Sequence, residues 1–268
     1  KLTLQPGLTV ITGANGAGKS NLLAACYLGL TAELQFGRIA DAVRLGEQEA
    51  FVSVRFEHSD GVSLVEAGLG PGRRLIRLDG NQVRAEQLAA TAAAVLMTPE
   101  DSQLVHGAPA QRRAWLDSLL SRISQRYARL LAEYQRVLAQ RNALLRQGWF
   151  DAGPDIWSEK FIELGTAIED LRSRALIRLA DLAAAAYRDI TAGGAEPARR
   201  ELGLSLQSAG RGPLAEALAD SRAEERARGV TVVGPHRDDL LLILGGHSLR
   251  TFGSRGEART AALALKVA

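Results

Sequence analysis

The clearest chemistry in this sequence lies in the eight residues 13–20, which read GANGAGKS. They fit G-x-x-x-x-G-K-[ST], a pattern whose glycines let backbone N–H groups close around a phosphate. In this pattern Lys19 reaches the β- and γ-phosphates, and the hydroxyl of Ser20 is a ligand for Mg²⁺. The segment therefore predicts a nucleoside triphosphate site contacted by Gly13, Ala14, Asn15, Gly16, Ala17, Gly18, Lys19, Ser20 and Asn21.

Two polar segments further along the chain also carry groups suited to binding, and each has a simple structural alternative. Residues 99–117 form a polar loop that leads into a helix. Asp117 follows Arg113 by four residues, so an ion pair within that helix is one explanation. Residues 234–240 read GPHRDDL and lie between two apolar runs. As a hairpin loop, they would direct their charged side chains to solvent.

A third polar segment, residues 252–259, reads FGSRGEAR and precedes a helix rich in Ala and Leu. Ser254 and Glu257 have the spacing of a capping box, which would explain them as a helix start and nothing more.

The four histidines show no metal-ligand spacing: His58, His106, His236 and His247. Ser20 is therefore the only residue to which the sequence assigns a metal, as a ligand of Mg²⁺.

A phosphate-binding loop must lie between a strand and a helix, and its flanking residues fit that requirement. Residues 8–11 read as a buried strand, and residues 21–28 read as a helix. Most of the remaining sequence up to residue 97 is typical of strands, at 51–56, 62–65, 74–78 with a turn at 79–81, and 93–97. We expect these strands to form an antiparallel sheet beside the sheet of the phosphate-binding loop.

The pattern becomes helical after Pro109. Residues 110–147 and 155–192 have apolar residues at helical spacing, and a glycine–proline break separates them, which predicts two long antiparallel helices. Strand patterns return at 201–206, 230–233 and 240–244, with a charged helix at 214–228. An α/β head divided by a helical insertion explains this order. The predicted parts are 1–108 and 199–268 for the head and 109–198 for the insertion.

Composition gives only weak information about partners. The net charge is +3 and the pI is about 9.3, which is compatible with a polyanion partner. The excess of arginine over lysine fits a bias in genomic base composition equally well. No apolar run is long enough to span a membrane, and the single cysteine, Cys26, cannot form an internal disulfide. We therefore expect a cytoplasmic protein with no membrane association.

Taken together, the segments resemble the RecF family of DNA replication and repair ATPases. Residues 99–117 follow the family run P-[ED]-x-x-x-[hydrophobic]-[hydrophobic]-x-G-[small]-P-x-x-R-R-x-[FY]-[hydrophobic]-D, with Trp115 where Phe or Tyr is usual. The GPHRDD loop, the SRGE segment and the QRNALLR stretch at 140–146 are also similar to RecF. The resemblance extends from near residue 8 to residue 268.

The resemblance implies an ATPase head of the ABC and SMC type. In such heads ATP and Mg²⁺ lie between two subunits, and the signature segment of one subunit faces the phosphate-binding loop of the other. That segment corresponds here to Ser254, Arg255, Gly256 and Glu257. The family also implies an ATP-driven homodimer with weak DNA-dependent ATPase activity. It would clamp DNA at single-strand/duplex junctions or gaps and cooperate with RecO and RecR.

Both ends of the sequence depart from the family pattern. RecF chains usually begin with a short strand and an aromatic-Arg-Asn turn ahead of the position of Lys1. The sequence stops at Ala268, before the strand that carries the Walker B aspartate and a catalytic acid. No catalytic residue is therefore identified, and we expect this stretch alone to hydrolyse ATP poorly. Arg112 and Arg113 are candidates for DNA contacts, and both nucleotide-linked structure and plain ion pairing remain open as their roles.

Three alternatives are consistent with parts of the sequence. An ABC transporter ATPase subunit would share the phosphate-binding loop and the signature, although the helical insertion argues against it. A P-loop kinase acting on a small metabolite would need no signature segment. A nucleotide-gated clamp that uses slow hydrolysis only as a timer has the same sequence features as the RecF interpretation.

Overall fold

The computed structural model describes residues 2–34, 39–58, 61–71, 73–84, 87–88, 91–92, 94–148, 156–193 and 200–268. Contacts between residues divide the chain into two compact units, Lys1–Leu96 and Met97–Ala268. Within the described ranges, no helix is both long enough and apolar enough to cross a membrane.

The described part of the first unit includes a long helix and an antiparallel sheet. Helix α1 is Lys19–Thr31, and the sheet has the order β1 (Ala50–His58), β2 (Gly61–Gly70), β3 (Arg73–Leu78) and β4 (Asn81–Gln82). The helix lies directly on β1, because a Cβ atom on Gly29 would come within 2.2 Å of Val54 Cγ2. Only glycine permits this approach between helix and strand.

The predicted antiparallel sheet of the first unit is confirmed. β1 and β2 pair along their whole length, from Ala50 opposite Leu69 to His58 opposite Gly61. The predicted turn is also present, since Asp79 (φ 50°) and Gly80 (φ 83°) connect β3 to β4. Two successive positive φ angles are the signature of the tight hairpin turns that match strand twist.

Two strands predicted in the first 97 residues are not observed. Residues 8–11 have no strand pairing with any described residue, and Leu8 and Val10 are 94% and 72% exposed. A strand depends on a neighbour for its backbone hydrogen bonds, so an apolar run alone does not form one. Residues 94–97 are likewise not in a strand, and residue 93 lies outside the described residues.

The second unit is built on helices. After a 3₁₀ turn at Pro99–Ser102 come α2 (Gln103–His106), α3 (Pro109–Ile123), α4 (Gln125–Gln147) and α5 (Ile156–Thr191). The first predicted long helix is therefore divided at Ser124, whose extended backbone ends α3 and whose Oγ accepts the Tyr127 N–H at 3.2 Å. The side chain that caps α4 thus explains the break.

Helices α4 and α5 run antiparallel, as predicted. Contacts between them pair residue 127 with 172, 134 with 161 and 141 with 158, so position rises along one helix as it falls along the other. The remaining elements are β5 (Leu202–Gln207), α6 (Leu214–Asp220), α7 (Arg222–Arg228), β6 (Asp239–Leu244), β7 (His247–Ser248), α8 (Leu249–Phe252) and α9 (Arg255–Val267). The predicted helix at 214–228 is therefore two helices that meet at Ser221.

One hydrophobic core holds the second unit together. Strands β5, β6 and β7 form an antiparallel sheet in that order, and α5 packs on both this sheet and α9. The buried residues of α5 and α9 belong to the same cluster, including Leu179, Ala183, Tyr187, Ala258 and Ala261. The long helix therefore extends from the α4 hairpin to the helix of the SRGE segment.

The strand predicted at residues 230–233 is absent because side chains occupy its backbone groups. Asn142 Oδ1 accepts the Thr231 N–H at 2.7 Å, and Glu225 Oε1 accepts the Val232 N–H at 3.3 Å. The Thr231 carbonyl accepts from Arg237 Nη2 at 3.2 Å. Hydrogen bonds that a neighbouring strand would supply come here from the side chains of Asn142, Glu225 and Arg237.

Candidate nucleotide-binding site

The loop at residues 13–20 has a backbone that requires glycine. Gly16 (φ 82°) and Gly18 (φ 87°) lie in the left-handed region, where other residues are strained. Gly18 is also the N-cap of α1 and has no side chain to accept the N–H groups of the first turn. These N–H groups and the positive end of the helix are therefore available to an anion.

Lys19 holds the loop in its curled conformation. Its Nζ atom donates to the carbonyl oxygens of Gly13 and Ala14, both at 2.8 Å. The lysine therefore brings its positive charge back over the loop, while Ser20 and Asn21 are exposed beside it. A cation, a hydroxyl and open backbone N–H groups are the donors that a phosphate and its Mg²⁺ ion need, so the residues present fit both groups.

The SRGE segment forms the start of α9 and is closed by a capping box. Ser254 Oγ accepts the Glu257 N–H at 3.2 Å, and Glu257 Oε2 accepts the Ser254 N–H at 2.8 Å. The predicted capping geometry is therefore confirmed. Ser254, Arg255 and Gly256 remain exposed, so the cap orients the serine without covering it.

The Glu257 carboxylate is stabilised in its ionised form. The hydrogen bond from the Ser254 backbone N–H lowers the pKa of Glu257, and the positive charge of Arg200 acts in the same direction. Arg200 Nη2 forms an ion pair with Glu257 Oε1. The helix start therefore carries a fixed negative charge with a cation beside it.

Arg112 is buried and forms part of the structure of the second unit. It is 2% exposed, and its Nε and Nη2 atoms donate to the two carboxylate oxygens of Asp239 at 2.7 and 2.8 Å. Its Nη1 atom donates to the Gly107 carbonyl at 2.7 Å. Of the roles predicted for Arg112, ion pairing is the one observed. Arg113 likewise donates to the Asp238 carbonyl at 2.6 Å.

Asp117 does not pair with Arg113 as the helical spacing suggested. Its Oδ1 atom instead accepts from Arg172 Nη2 at 2.7 Å and from the Tyr127 hydroxyl at 2.5 Å. Arg172, which is 1% exposed, also donates to the Pro235 carbonyl at 2.8 Å. One arginine on α5 therefore joins α3, α4 and the GPHRDD loop.

Most of the GPHRDD loop faces the protein interior, although Arg237 is exposed. Gly234 has φ 111°, and a Cβ atom there would lie 2.9 Å from Phe161 Cζ and 3.1 Å from the Tyr134 hydroxyl. Asp238 is 1% exposed. Its Oδ1 accepts the Ala209 N–H at 3.3 Å, and its Oδ2 lies 3.6 Å from Arg172 Nη1. The solvent-facing alternative is therefore wrong for this aspartate.

His236 is a neutral, structural residue. Burial lowers the pKa of His236 to about 4. Its Nε2 atom lies 3.2 Å from the Thr231 carbonyl, which can only accept, so Nε2 carries the proton. Nδ1 then accepts from the Tyr134 hydroxyl at 2.7 Å. The loop is therefore attached to α4 through an uncharged hydrogen bond.

The QRNALLR stretch supplies a second buried anchor. Arg141 Nη1 and Nη2 donate to the Glu225 carboxylate at 3.0 and 2.6 Å, and both side chains are nearly fully buried. Arg141 also donates to Thr231 Oγ1 at 2.6 Å and to Ser158 Oγ at 2.9 Å. Three of the segments that resemble RecF, at 99–117, 140–146 and 234–239, therefore meet around buried arginines.

The sequence did not identify Arg172 or Glu225 as members of this network. Each lies in a helix among other charged residues, and no nearby sequence pattern marks it as buried. Arg141 lies within a segment that resembles RecF, but the sequence did not indicate what it binds. Only its partner residues, 84 and 90 positions away, show that role.

Comparison with known proteins agrees with these observations. A family model described as an AAA domain matches residues 1–178. The DNA replication and repair protein RecF of Deinococcus radiodurans is 46% identical over 268 residues, which cover 99% of this chain and 72% of that protein. RecF of Deinococcus deserti is also 46% identical, over 267 residues and with the same coverage.

Solved structures show the same fold. The recombination mediator protein RecF-ATP of the RecFOR pathway superposes with a TM-score of 0.72 at 28% identity, over 94% of this chain and 71% of that chain. The RecF-ATPrS structure superposes with a TM-score of 0.71 at 25% identity, over 95% of this chain and 72% of that chain. The predicted α/β head of the ABC type, with its added antiparallel sheet and two long helices, is confirmed. With relatives of this identity along nearly its whole length, the chain belongs to the RecF family.

Proposed function

We propose that this protein is an ATP-gated DNA clamp of recombinational gap repair and replication restart. The observation that carries the proposal is the pairing of two features in a RecF family chain: a curled phosphate-binding loop and an exposed, capped signature serine. Family membership favours this function over a transporter subunit or a metabolite kinase.

The phosphate-binding loop would hold ATP from one side. Backbone N–H groups of residues 13–18 and the start of α1 would receive the phosphates, with Lys19 as the cation between them. Ser20 is exposed at the helix start and would hold Mg²⁺ through its hydroxyl. Mg²⁺ would neutralise charge on the β- and γ-phosphates.

The signature segment of a second subunit would hold the same ATP from the other side. Since Ser254 Oγ already accepts the Glu257 N–H, its own hydroxyl proton is free to donate to the γ-phosphate. These contacts would exist only in a head-to-tail dimer, so ATP would favour association and hydrolysis would remove that preference. A slow ATPase would then set how long the clamp stays closed.

DNA is the proposed cargo of the clamp. The relatives are named as DNA replication and repair proteins, and the matched structures belong to the RecFOR pathway. We propose binding at gaps or single-strand/duplex junctions in the cytoplasm, together with RecO and RecR. Exposed arginines would contact phosphates without reading bases. Arg112 is not among them, because Asp239 occupies its guanidinium.

Binding of gapped, fluorescent DNA by the full-length gene product tests the proposal. We expect tight binding with ATP, weak binding with ADP, and loss of the ATP effect in Lys19→Met, because that variant lacks the cation that holds the loop. Lys160→Met is the matched control, since Lys160 is an exposed lysine paired with Glu163. Equal DNA binding with ATP, with ADP and in Lys19→Met would contradict an ATP-gated clamp.

A further inference from the structure

Arg200 occupies a defined position beside the signature segment. Its Nη2 atom pairs with Glu257 Oε1, and its aliphatic stem passes over the turn between β6 and β7. A Cβ atom on Gly245 would lie 2.8 Å from both Cγ and Cδ of Arg200. Gly245 therefore leaves the space that the stem fills, and Gly245 N–H donates to the carbonyl of the adjacent Glu201 at 3.0 Å.

The position of Glu257 creates an electrostatic problem for a phosphate ligand. The carboxylate that caps Ser254 lies on the same first helical turn as the serine hydroxyl. Hydrogen bonding by the Ser254 N–H lowers the pKa of Glu257, so the group stays ionised at neutral pH. A carboxylate and a γ-phosphate that both lie beside Ser254 repel each other unless a cation compensates the negative charge.

Movement of the Glu257 carboxylate away from the γ-phosphate would disrupt the helix cap. If the carboxylate left the cap, the Ser254 N–H would lose its acceptor, and the serine would lose its fixed orientation. Arg200 Nη2 already lies against the carboxylate and can neutralise it in place. The pair is partly exposed, with 55% of the Arg200 side chain and 21% of the Glu257 side chain accessible, so a partner subunit could approach it.

We propose that Arg200 is a positioning and charge-compensating residue for the signature segment. It holds the Glu257 carboxylate in the cap and cancels its repulsion toward the γ-phosphate of an ATP bound to the opposing subunit. This inference rests on the proposed function, because it assumes that Ser254 meets ATP in a dimer. It gives a role to a residue outside the GANGAGKS, GPHRDD and SRGE segments.

Dimerisation of the full-length gene product with a non-hydrolysable ATP analogue and Mg²⁺, followed by analytical ultracentrifugation, tests this role. We expect Arg200→Gln to raise the dimer dissociation constant about tenfold, since a dimer has two signature segments and each exposed charge contact contributes a factor of about three. Arg200→Lys should stay within about twofold of wild type, because it keeps the positive charge. Nucleotide binding by the monomer should not change in either variant.

The double variant Arg200→Gln/Glu257→Gln separates charge from structure. The glutamine at 257 can still accept the Ser254 N–H but carries no charge, so it should restore dimerisation to within about threefold of wild type. Arg228→Gln is the matched control, because Arg228 forms an exposed pair with Glu224 at 3.0 Å on α7. It should dimerise like wild type.

The outcomes distinguish this inference from the function on which it rests. If wild type does not dimerise with the ATP analogue, the proposed clamp itself is wrong. If wild type dimerises and Arg200→Gln does so equally well, only the role of Arg200 is wrong. A double variant as weak as Arg200→Gln alone would also contradict charge compensation.

Discussion

Arg172 joins three segments that are far apart in the sequence. Its guanidinium donates to Asp117 on α3, to the hydroxyl of Tyr127 on α4 and to the Pro235 carbonyl. Removing one partner of a buried charge pair leaves the other without compensation, which costs more than the pair contributes. The arginine is therefore a structural connection whose loss exposes several unsatisfied groups at once.

Arg172→Gln should lower the free energy of unfolding by about 3 kcal/mol, because Asp117 and the Pro235 carbonyl lose their donors. Urea unfolding followed by circular dichroism measures the change. Arg174→Gln is the control on the same helix, since Arg174 is exposed, and it should change stability by less than about 0.5 kcal/mol. Equal effects of the two substitutions would show that the buried network does not stabilise the protein.

Glu169, one turn before Arg172 on α5, predicts a pH dependence. Burial, followed by the negative charge of Asp238, raises the pKa of Glu169 from 4.5 to about 7. Between pH 4.5 and 7, Glu169 therefore keeps its proton in the folded protein but loses it in the unfolded chain. Stability contributed by this group is therefore complete below pH 4.5 and is lost as the pH rises through 7.

Glu169→Gln should remove this pH dependence, because glutamine stays neutral. The full pKa shift would correspond to about 3 kcal/mol at pH 8, and solvent screening at this partly exposed carboxyl reduces the effect. We therefore expect the variant to be more stable than wild type by about 2 kcal/mol at pH 8 and equally stable at pH 4.5. Thermal unfolding at a series of pH values tests this. Asp181→Asn, at an exposed position of the same helix, should show no such trend. A stability difference that is the same at both pH values would contradict the proposed titration.

At the scale of elements, the GPHRDD loop depends on one glycine. Gly234 combines a positive φ angle with close contacts to Phe161 of α5 and Tyr134 of α4. A side chain at this position would both strain the backbone and push the loop away from the two helices. The loop can therefore approach the helical hairpin only because residue 234 has no Cβ.

Gly234→Ala should destabilise the protein by roughly 3 kcal/mol through strain and overpacking together. Gly246→Ala separates the two causes, since Gly246 has φ 84° but no atom within 4 Å of the added Cβ. That control should cost about 1 kcal/mol, from backbone strain alone. Thermal unfolding that ranks the two variants equally would show that the contacts with Phe161 and Tyr134 do not matter.

Elements with local causes were predictable from the sequence. The Asp79–Gly80 turn and the Ser254–Glu257 cap follow from residues within a few positions of one another. The strand expected at 230–233 is absent because its hydrogen-bond partners lie outside the segment. Its N–H groups bond to Asn142 and Glu225, and a pattern within four residues contains no information about them.

At the scale of the whole molecule, the phosphate-binding loop and the signature segment lie in different compact units. The loop was predictable because its chemistry is contiguous in the sequence. The buried arginines were not, because Arg112 and Asp239 are 127 positions apart and Arg141 and Glu225 are 84 apart. An arginine of a solvated helix face and an arginine of a buried network look the same in a helical pattern.

The continuous length of α5 limits how the gene for this protein can change. One face of this 36-residue helix carries Ser158 against Arg141, then Arg172 in the buried network, and finally Tyr187 in the core that includes α9. Inserting or deleting one residue would turn everything beyond that point by about 100° and shift it by about 1.5 Å. All later contacts would then miss their partners. The helix therefore tolerates amino-acid substitutions, but the number of residues between these contacts cannot change.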